Sequence, residues 1–293
     1  MIVFDFRPPS PALGEYVRQH QIVGVTFSDT ITPPIKPYWP RPQNCLAFYP
    51  RDRHSVTYPD AEGPGKTFRS DLIGQPTILA NRHTDHDFVV FQVIFQPGAL
   101  FRLTRIPAHN LANQFVDAET VFSTEINLVN ERLSSTDDHL EMIEIVEAFL
   151  RYLLRRQPTK PSGISRLPID KVAQFMLQKP LPVDLDWLAN QSCLSTKQFY
   201  NSFVQRMGIS PKLFSRIARF DKTMKLKSTQ PHKDWLSIAL EMGYYDYQHM
   251  ARDFREFTKL TPIEFFQAEI DAPERAFGHA ETTLLLTDAY ATR

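Results

Sequence analysis

Only two cysteines, Cys45 and Cys193, occur in 293 residues. That is too few for a disulfide framework, and the two fall in segments of different character. No apolar run approaches the ~20 residues needed to span a bilayer, so no membrane partner is expected. The N-terminal MIVFDFRPPSP has no basic stretch leading into an apolar one and a cleavage site, so no secretory signal is expected and the reading is a soluble, cytoplasmic protein. Net charge is absent too, with 33 basic residues against 33 acidic ones. What is present is an ordinary globular balance, 42% hydrophobic and 23% charged, in a length that suits two domains.

The overall neutrality hides an asymmetry. Residues 1–159 carry 15 Lys and Arg against 18 Asp and Glu, whereas residues 160–270 carry 16 against 11. A basic segment beside an acidic one makes nucleic acid a candidate partner for the basic half. The boundary is the stretch Gln157-Pro158-Thr159-Lys160-Pro161-Ser162-Gly163, which can sustain neither a helix nor a central strand. We therefore expect domains at 1–157 and 169–268, a linker at 158–168 and a tail at 269–293 that could be docked.

Fourteen of the 23 prolines lie in residues 1–107. Short apolar runs there, at 21–27, 45–49, 55–58, 76–80 and 88–95, are bounded by turn residues and read as a β sandwich or barrel. FVVFQVIF (88–95) is apolar on both alternations and is expected as a central strand covered on both faces. From about Thr124 the period becomes helical. Ile126, Val129 and Leu133 form one stripe; Leu140, Ile143, Val146, Leu150, Leu153 and Leu154 form a second. The second stripe suits either a core helix or a dimer-forming pair.

Residues 169–268 read as seven short helices. Asp184 is placed to cap the segment ending at Gln191, and Ser195 and Gly208 delimit 196–207. Phe199, Phe203 and Met207 recur every four residues, and Ala189 sits where the two helices cross, which spells a helix-turn-helix. Ser210-Pro211 opens a long helix to about Lys227. The arrangement then recurs: Ile238-Ala239, a turn at Gly243-Tyr244, Asp246 as cap, and Met250, Phe254 and Phe257 inward.

On these residues the stretch 169–266 resembles the double helix-turn-helix domain of AraC/XylS-type transcriptional regulators. The pattern is Leu188-Ala189, Leu194-Ser195, Phe203, Gly208-Ile209-Ser210-Pro211, Arg219, Ile238-Ala239, Gly243-Tyr244, Asp246, Phe254 and Thr261-Pro262-Ile263. Cys193 and Lys259 stand where glycines are common in that family, and Phe266 where an arginine is common. The resemblance implies a bacterial, nucleoid-associated DNA-binding regulator, an activator, with double-stranded DNA as partner and RNA polymerase as a candidate partner. It implies that helices 196–207 and 246–257 enter two successive major-groove segments. Base-edge roles then fall to Lys197, Tyr200 and Asn201, and to Gln248, His249 and Arg252; Thr196, Gln205 and Tyr247 share the outward faces. Arg and Lys can donate to guanine, and Asn and Gln can pair with adenine. Gln198, Lys212, Arg216 and Arg219 are candidate phosphate contacts, although Arg219 suits a structural role equally. Trp187 and Trp235 are read as packing residues.

Relatives of this kind join the DNA reader to a cupin-like barrel that binds a small molecule and dimerises. The expected fold class is thus α+β in two domains: a cupin-like β-barrel with trailing helices, then an all-α bundle. Helices 124–156 take the position of a homodimer contact. The effector is unknown, and Tyr38, Trp39, Phe48, Tyr49 and Arg82 are candidate lining residues. The cluster Arg82-His83-Thr84-Asp85-His86-Asp87 cannot converge three ligands on one strand face, so neither metal nor other cofactor is expected. No nucleophile–base pair is legible, so the chain is not expected to be an enzyme. The competing readings are an effector-independent DNA binder and a cupin enzyme fused to a DNA-targeting module.

Overall fold

A computed structural model of the chain describes residues 2–30, 32–33, 35–58, 65–122, 124–156, 167–179 and 184–270. Residues 157–166, which hold most of the expected linker 158–168, and residues 271–293, most of the expected tail 269–293 with its Thr282–Thr287 run, lie outside the described residues.

The proline-rich half supplies the strands β1 (Ile2–Arg7), β2 (Val17–Thr26), β3 (Lys36–Tyr38), β4 (Cys45–Phe48) and β5 (His54–Thr57). They continue with β6 (Lys66–Phe68), β7 (Ser70–Ile73), β8 (Ala80–His83), β9 (Asp87–Phe95) and β10 (Phe115–Asp117). All pair antiparallel, in a six-stranded sheet of order β1-β2-β9-β4-β7-β10 and a four-stranded sheet of order β3-β8-β5-β6. Strand pairing among the described residues does not join the two sheets into a closed barrel. The apolar run at 76–80 is not a strand: residues 76–79 are irregular, and pairing begins at Ala80. Pro76 forecloses a ladder donor there.

β9 is central, flanked by β2 and β4, and its alternation serves two cores. Phe91, Val93 and Phe95 face a cluster built with Leu46, Phe48 and the helices, while Phe88, Val90 and Ile94 face the small sheet with Cys45, Ala47 and Tyr49. The helical side is covered by α1 (Ala99–Thr104), α2 (Ala118–Phe122), α3 (Thr124–Ser134) and α4 (His139–Arg156). Ile126, Leu133, Val146 and Leu150 are buried in that cluster, so much of the heptad-like stripe of 138–156 is spent on the chain's own core. Leu128 and Leu140 are the exposed large apolar side chains on these helices. Glu147 fastens α4 to the sheet, accepting from the Ser10 backbone N–H at 2.7 Å, lying 3.2 Å from His20 Nε2, and pairing with Arg151.

The second half consists of α5 (Pro168–Gln178), α6 (Leu185–Gln191), α7 (Thr196–Met207), α8 (Pro211–Thr229), α9 (Trp235–Glu241), α10 (Tyr247–Thr258) and α11 (Pro262–Ile270). Phe199, Phe203, Phe220, Phe254 and Phe257 are fully buried in one cluster, each contributing about 1.5–3 kcal/mol of transfer free energy. That cluster is not confined to the helices. Trp39, from the segment after β3, is 4% exposed within it and meets Phe265 edge to face at 5.2 Å. Leu79 and Ala112 pack on it as well.

Candidate nucleic-acid interface

Two equivalent helix–turn–helix units are built by the same backbone device. At the end of α6, Leu194 N–H donates to Ala189 O at 3.0 Å and Cys193 N–H to Asn190 O at 3.0 Å. At the end of α9, Tyr244 N–H donates to Ala239 O at 2.9 Å and Gly243 N–H to Leu240 O at 3.1 Å. Both are Schellman closures, and each needs a left-handed residue just past the helix. Gly243 supplies it at φ 75°, and Cys193 adopts the same region at φ 55°. Lys259 does likewise after α10, at φ 65°. The residues standing in place of glycine therefore keep the turn geometry, at a conformational cost.

The entry of each second helix is fixed by side chains. The Ser195 hydroxyl accepts from Gln198 N–H, and the Gln198 side-chain oxygen accepts from Ser195 N–H, closing a capping box on α7. Asp246 accepts from His249 N–H at 2.6 Å to cap α10. Asp184 and Ser210 cap α6 and α8 in the same manner. Helix α8, about 28 Å long at 1.5 Å per residue, joins the units and buries Phe214, Ile217, Phe220 and Met224.

On α7, Lys197, Asn201 and Gln205 are exposed and Tyr200 is 45% exposed. Thr196 is exposed as well, but its hydroxyl donates to Asp186 at 2.6 Å, tying α7 to α6. On α10, Gln248 and Arg252 are exposed. Tyr247 and His249 are half-buried: Tyr247 leans on the aromatic core, and His249 meets Tyr244 edge to face at 5.6 Å. Trp235 packs against the core on Phe254, whereas Trp187 is 45% exposed and meets Phe175, itself part-exposed, at the surface.

The candidate phosphate contacts divide. Lys212 is exposed at the start of α8. Gln198 has committed its side-chain oxygen to the capping box. Arg216 is clamped by α10, bonding Asp253 at 2.7 and 3.0 Å and Glu256 at 3.1 Å, so contact with a phosphate would require giving up these bonds. Both carboxylates raise its pKa despite partial burial. Arg219 is buried, 4.1 Å over the Tyr244 ring and 3.6 Å from Asp253, which makes it a structural residue and removes it from the phosphate contacts.

A buried ion pair, not anticipated from the sequence, sets the other end of α7. Arg206 Nε and Nη2 grip Asp170 of α5 at 2.6 and 2.5 Å. The first half of the chain closes over this pair. Phe101 lies under the Arg206 guanidinium at 5.3 Å. Gly98 (φ 75°) approaches so closely that a Cβ would sit 2.2 Å from Asp170 Oδ1. Gly208, left-handed at the end of α7, lies against Ala108 O, 3.0 Å from where its Cβ would be.

The effector-lining candidates separate by strand face. Trp39 does not line the interior between the sheets but packs in the helical cluster. Phe48 is also elsewhere, on the helix-covered face of β4, because alternation sends it opposite to Ala47 and Tyr49. Tyr38, Tyr49 and Arg82 do come together, with Arg82 4.1 Å over the Tyr38 ring. Around them are polar groups that the sequence reading did not single out. Asp71 accepts from Tyr49 Oη at 3.3 Å, His54 stacks on Tyr49 at 3.8 Å, and Gln21 and Gln92 are buried. The available signal was the single glutamine inside FVVFQVIF. Burial pushes Asp71 up to about 7 against the pull of Arg82, and burial with Arg82 nearby pushes His54 down to about 2. Beyond Arg82 on the same strand, His83 bonds Thr57 at 2.9 Å. Among the described residues no group of three His, Cys, Asp or Glu side chains is placed to hold a metal ion, and no helix is long and apolar enough to cross a membrane.

Comparison with known proteins bears on the helical half. The family described as "Helix-turn-helix domain" matches residues 188–268. No curated protein sequence matches the chain. Among solved structures, ToxT from Vibrio cholerae is 10% identical, with 85% of this chain and 98% of that one covered at a TM-score of 0.46. A wild-type ToxT from Vibrio cholerae strain SCE256, with an unsaturated fatty acid bound, is 10% identical over 84% and 93% of the two chains, TM-score 0.44. The AraC-like transcriptional activator CuxR is 12% identical over 82% and 88%, TM-score 0.25. Residues 188–268 are thus an AraC-type helix-turn-helix domain.

Proposed function

We propose that the chain is a cytoplasmic, sequence-specific DNA-binding regulator whose α7 and α10 read two successive major-groove segments on one duplex face. The observation that carries this reading is the duplicated, identically closed turn, which offers two second helices joined by one rigid helix. Lys197, Tyr200, Asn201 and Gln205 then face one groove, and Gln248, His249 and Arg252 the next, while Lys212 contacts the backbone. Thr196 and Tyr247 support these faces. The first half acts as a sensor, its effector held between the two sheets by Arg82, Tyr38 and Tyr49. Contacts such as Trp39 on Phe265 make the placement of the DNA reader depend on that half. The activity is binding, not catalysis.

The test is selection from random duplexes by the full chain across a salt series. The expected product is a site with two short blocks one helical turn apart, lost in the double variant Asn201→Ala with Arg252→Ala. Sequence-independent binding instead would favour the architectural reading. Absence of binding at low salt would end the proposal.

A further inference from the structure

The interior between the two sheets sets a row of polar groups beside the apolar cluster of Phe88, Val90, Ile94 and Cys45. On the large sheet, Gln21, Gln92, Ala47 and Asp71 lie side by side in register on strands β2, β9, β4 and β7. All four face the small sheet, and the only small side chain among them, Ala47, is in the middle of the row. Opposite stands Arg82 of β8, 7% exposed. Buried polar groups in native proteins are almost always hydrogen-bonded, and a buried guanidinium without partners is among the costliest exceptions. Yet among the described residues Arg82 Nε and Nη2 have no hydrogen-bond partner, nor does Gln92 Nε2 or His54 Nδ1. Asp71 does not relieve the deficit, because its carboxylate is turned to Tyr49 and lies 3.6 Å from His54.

The identity of the two orphaned atoms is informative. Nε and Nη2 form the side edge of the guanidinium, the fork that matches a planar carboxylate with two parallel bonds. The same edge grips a carboxylate elsewhere in this molecule, in Arg206 on Asp170, Arg7 on Asp5 and Arg216 on Asp253. At Arg82 the fork is present, and among the described residues no carboxylate is bonded to it.

We propose that the effector is a compact organic acid whose carboxylate docks on the Nε and Nη2 of Arg82 between the two sheets, with Gln92 and His54 offering hydrogen bonds to its remaining polar groups. The inference rests on the sensor reading of this half and names the ligand class for it. Tyr38, whose ring lies against the guanidinium, immediately precedes Trp39, the side chain that enters the helical cluster. A charge arriving at Arg82 therefore acts one residue away from the contact with the DNA reader.

The test uses the full chain with formate, acetate and benzoate as probes, against formamide, acetamide and benzamide at matched ionic strength. Thermal unfolding midpoints are read across concentration. The expected result is a saturable rise with at least one acid, about 2–4 °C at roughly five times its Kd, and none with its amide. Arg82→Met should abolish the rise while keeping a cooperative transition. Arg82→Lys, which keeps the charge without the fork, should lose most of it and serves if the methionine variant does not fold. Acids and amides that act alike, or an acid effect that survives both substitutions, would overturn the proposal. Duplex binding is measured separately, so loss of the carboxylate site and loss of the regulator reading give different results.

Discussion

Trp39 and Phe265 meet edge to face at 5.2 Å, which places a residue of the strand-rich half inside the core of the DNA-reading half. Arg41 lies over the indole at 5.0 Å, and its backbone carbonyl accepts from Gln75 at 2.7 Å. The two halves thus share packed surface, and α11, which follows the second helix–turn–helix unit, is in direct contact with the segment joining β3 to β4.

Trp39→Ala should cost about 3 kcal/mol of stability, at the lower end for truncating a buried tryptophan. Denaturant unfolding would check it. If the indole were only a surface cover, the loss would stay below about 1 kcal/mol.

Breaking the pair at the end of α7 should be costlier than its hydrogen bonds suggest. Arg206→Met or Asp170→Asn alone leaves a buried group uncompensated and should destabilise by about 3–5 kcal/mol. The double variant should recover much of that loss, since both charges are then gone. A double-mutant cycle on unfolding free energies measures the difference, and additive losses would rule out the coupling.

The left-handed turns give a prediction of opposite sign. Cys193→Gly and Lys259→Gly should each stabilise the chain by about 0.5–1 kcal/mol, because the strain relieved exceeds the added unfolded-state entropy. Gly208→Ala should destabilise, since its Cβ would press on Ala108 O at 3.0 Å in a left-handed conformation. Unfolding midpoints of the three variants decide it.

Arg216 and Lys212 should behave differently although both were placed at phosphates. Arg216→Ala should cost about 1–3 kcal/mol of stability by leaving the buried Asp253 without its clamp. Lys212→Ala should leave stability unchanged and reduce the salt dependence of duplex binding by about one phosphate's worth. Paired melting and salt-titration experiments separate the two.

The pH dependence of stability should reveal His54 and Asp71 acting against each other. His54, lowered to about 2, makes the unfolded chain bind the extra proton, so its contribution is lost as pH falls below about 6.5. Asp71, raised to about 7, makes the folded chain bind the extra proton, so its contribution is lost as pH rises from about 4 to 7. Between about pH 4 and 6.5 the two slopes oppose, so their joint contribution should be nearly flat there, with His20, also lowered by burial, adding a rise with pH. His54→Gln should make stability fall with rising pH in that window, and Asp71→Asn should make it rise, by about 1 kcal/mol per pH unit at most. Chemical unfolding at a series of pH values would show the signs, and identical profiles in both variants would refute the assignment.

Much of this protein was legible in its sequence because the signals are local. Asp184, Ser195, Ser210 and Asp246 cap helices through hydrogen bonds to backbone two or three residues away, and Phe199, Phe203, Phe254 and Phe257 fall on one helical face by spacing alone. The central place of 88–95 followed from its being apolar on both faces. What the tertiary structure decided are relationships between residues far apart in the chain. Strand alternation could not say which face of β4 met helices and which met the small sheet, so Phe48 and Tyr49 read alike as lining candidates. Nor could periodicity show that Trp39 leaves its own half, that Arg216 and Arg219 are taken up by Asp253, or that Arg206 is held by Asp170. A charged side chain reads the same in sequence whether it meets solvent, a phosphate or a buried carboxylate, because only packing sets what surrounds it and what its desolvation must be balanced by.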